Sequence, residues 1–302
     1  MSVRVKWLNR NTGYDSITIY RDVKSISPEA LPDSLVVLSG GETEYLDTTA
    51  PTKVLLHYLI ALKKGTEVTY SQPKPTMNIG YNGPGPQSIM FGDWRFGYFG
   101  QLTTIDLFTA AEVCAAVAIG GPTNVGGMTW FKFAFNGKVL YFPSAHLSQA
   151  VGWNLLYIRG LVFGVDDVGP TGHSNPPTNQ MKKIAKGDDQ FIVRLPRSNN
   201  TPGAVQGTID LSGGLTVAEY ALIYSVRNIQ TGKENPVLND LTSYMLTVAV
   251  TAPLAEFTAG ALSQGCQHIQ SGQYTVVTTN PANCVRSTQT YAWRPILEWV
   301  MP

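Results

Sequence analysis

Charge is what this 302-residue chain has least of: Asp, Glu, Lys and Arg make up 14% of it, and the formal net charge is +1. Ordinary globular chains carry about a quarter charged residues. No Lys/Arg run or basic arm is present to neutralise a phosphate backbone, so nucleic acid is not an expected partner. Long apolar runs are missing as well. No stretch approaches the ~18 residues of a membrane span, so membrane insertion is not expected. Met1-Ser2-Val3-Arg4-Val5-Lys6-Trp7 alternates without the apolar centre of a signal peptide. The expectation is a chain made in a cytoplasm.

Cysteine is scarce too. Cys114, Cys266 and Cys284 are odd in number and lack CxxC spacing, which fits reduced thiols. A later Cys266–Cys284 bridge stays open, and would add about 3 kcal/mol in the chain-entropy model.

Catalytic signatures are absent. There is no GxSxG, no Walker loop and no GxGxxG. His57, His146, His173 and His268 are scattered and form no HxH or HExxH set, so neither a metal nor a cofactor is expected. Asp166-Asp167 and Asp188-Asp189 lack the register of a calcium loop and read as solvated loop charge. A glycosidase pair is placed by the fold and not by spacing, so glycan cleavage through these carboxylates stays open.

What the chain does have is glycine (29), proline (19) and alternating apolar segments. The first of these, Val3 to Trp7, has one apolar and one charged face. Ile17 to Val23, Leu35 to Leu38, Tyr45 to Thr49 and Val54 to Leu62 follow, with turns between them, and Lys64-Gly65 turns into Glu67 to Tyr70. Short strands at this spacing predict a β-sandwich. Trp7, the Ile17 to Arg21 strand, Tyr45 to Thr49 and His57 to Ala61 resemble a fibronectin type III module over residues 1–72. The usual first strand is missing or very short, which leaves a sheet edge for another chain to cover.

Residues 73–88, from Pro73-Lys74-Pro75 to Gly83-Pro84-Gly85-Pro86, lack periodicity and read as a semi-extended linker. Residues 89–302 predict a larger mixed α+β domain. Thr109 and Glu112 form a capping box that opens a helix, and Thr216 and Glu219 form a second one. Asn136-Gly137 joins Thr129 to Phe135 with Lys138 to Phe142 as a tight hairpin. A short helix is expected from Trp153 to Arg159, another from Leu238 to Leu246, and strands at Gln190 to Leu195, Tyr274 to Thr278 and Tyr291 to Val300. The last segment is dense in apolar and aromatic residues and must be buried. Pro295 restricts it to an edge strand or a strand start. Trp94, Phe96, Tyr98 and Phe99 are candidate binding residues: exposed, they would stack on sugar rings or anchor an interface, and buried, they are core.

The ending Trp293-Arg294-Pro295-Ile296-Leu297-Glu298 resembles that of tail-associated structural proteins of tailed bacteriophages. The Trp130 to Pro143 hairpin, the Ser148 to Gly164 stretch and Glu219 to Val226 resemble the same virion proteins, in the same order. The resemblance implies a nonenzymatic tail, baseplate or fibre component that acts in several copies among other virion proteins, without a cofactor, and resides in the virion. The loop-heavy body is also similar to C-type-lectin-like receptor-binding folds. Two alternatives remain open: a receptor-binding protein recognising a host surface glycan, and a glycan-cleaving enzyme using Asp166, Asp167, Asp188 or Asp189.

Overall fold

The computed structural model describes residues 2–7, 13–122, 128–149, 151–169, 175–197, 219, 252–257, 266–269, 276–278 and 293–302. The chain is β-rich, with several antiparallel sheets. It divides into two compact units. One comprises Met1–Asn82, Asp93–Gly97 and Ala134–Lys138, and the other Gly83–Gly92, Tyr98–Phe133 and Val139–Pro302.

In the first unit, β1 (Val3–Lys6) pairs antiparallel with β4 (Glu44–Asp47) as a two-stranded sheet. A second sheet runs in the order β3 (Ser34–Ser39), β2 (Ser16–Asp22), β5 (Leu55–Lys64), β6 (Glu67–Tyr70), and β7 (Lys74–Met77) also pairs with β5. Val3, Ile19, Ala50, Leu56 and Tyr58 form a buried cluster from both sheets, with Val5, Trp7, Val36 and Tyr45 packed against it. Because β5 alternates two apolar faces, His57, Leu59 and Ala61 are buried on its other side.

Asp47 ties these strands together. Fully buried, it accepts hydrogen bonds from Arg21 Nη1 (2.6 Å), Tyr58 Oη (2.7 Å), Thr49 N (2.9 Å) and Thr49 Oγ1 (2.8 Å). Burial opposes its charge, but the bonds from Tyr58, Thr49 and Arg21 prevail and hold the carboxyl below its ordinary value.

The linker expected over residues 73–88 is corrected by the structure. Its first half is β7, which pairs Leu55 with Met77 and Tyr58 with Lys74. The β5–β6 register (Ala61 with Tyr70) and the β5–β7 register differ by one residue, a bulge that spans Ser71 to Pro73. Ser71 Oγ accepts from Ile60 N (3.0 Å) there, replacing a ladder carbonyl. Proline and periodicity loss signalled the bulge, but the pairing on either side of it is a long-range contact.

The largest sheet has seven strands in the order β12 (Lys183–Lys186), β13 (Asp189–Arg194), β17 (Ile296–Val300), β11 (Lys138–Pro143), β10 (Thr129–Phe135), β9 (Phe96–Thr103), β8 (Phe91–Gly92). Asn136 and Gly137 take the positive φ values (48° and 78°) that a two-residue hairpin requires. Thr109 and Glu112 form the expected capping box at the start of α1 (Ala110–Ala116). α2 (Trp153–Ile158) is buried through Trp153, Leu156 and Tyr157, with Trp153 stacked on Tyr157 (5.5 Å between ring centres). β14 (Ala252–Phe257), β15 (Cys266–Ile269) and β16 (Val276–Thr278) make a separate three-stranded sheet. The helices expected after Thr216 and from Leu238 to Leu246 lie outside the described residues, apart from Glu219, and so does Cys284. Among the described residues, no helix is long and apolar enough to cross a membrane.

The segment ending in β17 is buried as its composition demanded, but β17 is an interior strand and not an edge. Pro295 sits just before it, where its missing N–H costs the ladder nothing. Trp293 is fully buried and holds Leu147 and Ser148 through its backbone carbonyl and N–H (2.8 and 2.9 Å). Trp293→Ala is therefore expected to cost ~3–5 kcal/mol, read from the denaturant midpoint; an unchanged midpoint would place this indole at the periphery.

Candidate functional site

The four candidate aromatics do not make a binding platform. Trp94, Tyr98 and Phe99 are buried, and Phe96 is half-buried with its ring edge-on to Phe135 (6.3 Å, 71°). Tyr98 packs on Phe133 at 5.4 Å. β9 is buried on both faces over Gly97 to Gly100, so these rings belong to the core.

The acidic pairs are not assembled either. Asp189 accepts from Trp299 Nε1 (2.7 Å), Asp166 from Asn179 Nδ2 (2.8 Å) and Asp167 from Val168 N (2.6 Å), while Asp188 is exposed. Among the described residues, no group of three or more His, Cys, Asp or Glu could hold a metal. His57 and His146 are buried, and burial followed by the nearby Arg95 and Arg294 charges lowers their respective pKa values. His173 lies outside the described residues, and His268 falls on β15. The Cys114 thiol is buried, and that burial pushes its pKa up to about 11.

Buried cations are what the sequence reading passed over. Lys132 is completely buried in β10. Its Nζ donates to the carbonyls of Pro86 (2.8 Å) and Gly83 (3.1 Å) and lies 4.9 Å from the centre of the Phe99 ring and 5.8 Å from that of Tyr141. Tyr141 Oη donates to Pro84 O (2.8 Å), so the second half of the expected linker is also pinned. Gly83 is required here: at φ +86°, a Cβ would meet Tyr141 Oη at 2.6 Å. Burial pushes the Lys132 pKa down to about 7, with Asp189 opposing it. An amine of that pKa is a competent nucleophile in principle, but full burial leaves a substrate carbonyl no approach. Lys132 works as a latch on residues 83–86. Its position inside Trp130-Phe131-Lys132-Phe133 was the available signal.

Arg194 is the second buried cation. Its Nη1 and Nη2 grip both oxygens of Glu219 (2.6 and 2.7 Å), and Nε donates to Glu298 (2.8 Å). Burial disfavours its charge, but the two carboxylates outweigh this and hold the guanidinium protonated. Arg294 is buried over Phe142 and donates to Ser144 O (2.9 Å); burial lowers its pKa to about 10.

The edge of β1 is one of the places in the described structure that offer backbone for a contact. Within its two-stranded sheet, β1 has β4 on one side only. Trp7 N donates to Thr43 O (3.1 Å), which continues the register of Val3 with Asp47 and Val5 with Tyr45. In an antiparallel ladder alternate residues point their N–H and C=O the same way. Val3, Val5 and Trp7 therefore aim at β4, while Arg4 and Lys6 aim outward. No known protein family, characterised protein or solved structure matches the chain.

The Lys132 latch predicts a pH effect. Folding lowers its pKa, so the unfolded state binds more protons near neutrality and stability rises with pH. Between about pH 7 and 8.5 the slope is expected to be on the order of 1 kcal/mol per pH unit, and Lys132→Met should flatten it. An unaltered pH profile of the melting temperature in the variant would show that Lys132 is not the titrating group.

Proposed function

We propose that this chain is a nonenzymatic structural component of a tailed phage particle, associated with tail, baseplate or fibre and acting through protein–protein contacts. The observation that carries the associative part is the open edge of β1, beside a core whose outer members Val5 and Trp7 are only half-covered. In this reading the first unit is a fibronectin type III-like sandwich. The β1–β4 pair and the β3-β2-β5-β6 order, packed through one core, support it. The rest is the larger α+β domain, whose α1 and α2 lie beside a sheet-rich body. The virion part rests on the resemblance of the β10–β11 hairpin, the stretch containing α2, and the Trp293 to Glu298 ending. No described feature favours glycan binding or cleavage: three of the four candidate rings are buried, Phe96 is half-buried against Phe135, and the carboxylates are engaged or dispersed.

Antiserum raised against the chain should label purified tailed particles, and the chain should co-sediment with them at a fixed ratio to the other virion proteins. Recovery only as free protein, with particles unlabelled, would reject the virion assignment.

A further inference from the structure

We infer that the outer edge of β1 receives an extended segment of a partner protein in which apolar residues alternate with carboxylates. The inference rests on the associative reading of the same edge and names its occupant. Arg4 and Lys6 present two N–H and two C=O groups outward, enough to add a short strand. Side chains directly opposite one another share a face of the sheet. Residues of the incoming strand opposite Val3 and Val5 thus join the apolar layer, where Val5 and Trp7 are half-covered and Trp7 Nε1 finds no acceptor among the described residues.

Residues opposite Arg4 and Lys6 lie on the outer face, where charge decides. Lys6 is 3.6 Å from Glu44, an exposed pair worth little, whereas Arg4 stands opposite the exposed Leu46. Among the described residues Arg4 has no ion-pair partner. A second copy is the poorer occupant. Pairing two β1 edges sets Arg4 and Lys6 against one another, and like charges directly opposite are unfavourable. Pairing β1 with the β4 edge of another copy, in the register these two strands already share, would set Arg4 opposite Leu46 again. A carboxylate-bearing strand is what remains complementary.

The register also determines the test. Proline at position 5 would break the bond to β4, whereas proline at position 4 leaves that ladder intact and removes an outward donor together with the Arg4 charge. Hydrogen exchange of the full chain is measured with two probes at millimolar concentration: an alternating Val–Glu decapeptide and an alternating Val–Lys decapeptide. The Lys6 amide should exchange freely in the chain alone and about tenfold more slowly with the acidic peptide, but not with the basic one. Arg4→Pro should abolish this protection. Arg4→Glu, which keeps the N–H, should weaken acidic-peptide protection, and it carries the test should Arg4→Pro lower the melting temperature. Equal protection by both peptides would overturn the acidic preference. Protection on concentrating the chain alone would assign the edge to a second copy, and no protection at all would overturn strand addition. A chain that enters particles yet ignores both peptides rejects this inference alone. One absent from particles that still takes the acidic peptide rejects only the virion reading.

Discussion

The seven-stranded sheet depends on the pairing of β17 between β13 and β11. Among the described strands, β12 and β13 are hydrogen-bonded to the rest of the sheet through that strand. It matches Phe191 with Trp299 and Val193 with Leu297 on one side, and Tyr141 with Leu297 on the other. Its side chains extend the hold: Glu298 takes the Arg194 guanidinium, and Trp299 donates to Asp189. The same indole closes over Gly83, where a Cβ would come within 3.1 Å of the ring. Backbone pairing, a buried ion pair and a glycine's close approach all converge on five residues.

The buried cations show two solutions to one problem. Arg194 meets carboxylates on three of its nitrogens, and its charge is retained because opposite charges offset lost hydration. Lys132 donates to two neutral carbonyls, and rings flank it, so burial prevails and its proton is held loosely. Carbonyls accept from an ammonium or an amine alike, so the latch on residues 83–86 survives deprotonation. The cost of a buried charge is thereby avoided without losing the contact.

What the sequence disclosed was local. The Asn136-Gly137 hairpin, the Thr109–Glu112 capping box and the α2 segment require only neighbours a few residues apart, and each is found where the pattern put it. The Pro/Gly stretch over residues 73–88 reads as a linker because neither the pairing of β7 with β5 nor the reach of Lys132 to Gly83 and Pro86 leaves a local trace. Trp94, Tyr98 and Phe99 illustrate the same limit: aromatic content marks a candidate, but burial is decided by what packs above it. An open edge could be anticipated from the short first strand. That its outward groups belong to Arg4 and Lys6, and not to Val5, follows only from the register with β4.

Arg194 and Ile296 are directly paired although about a hundred residues of chain separate them, so β13 waits for its neighbour during synthesis. The ladders among β1 to β7 draw on segments within the first 77 residues and can close early. The large sheet cannot close until residues 296–300 have been made and have left the ribosome. Until then the facing edges of β11 and β13 are unpaired, and a truncated product would carry both. These five residues therefore decide whether the facing edges of β11 and β13 are covered or stand open to other chains.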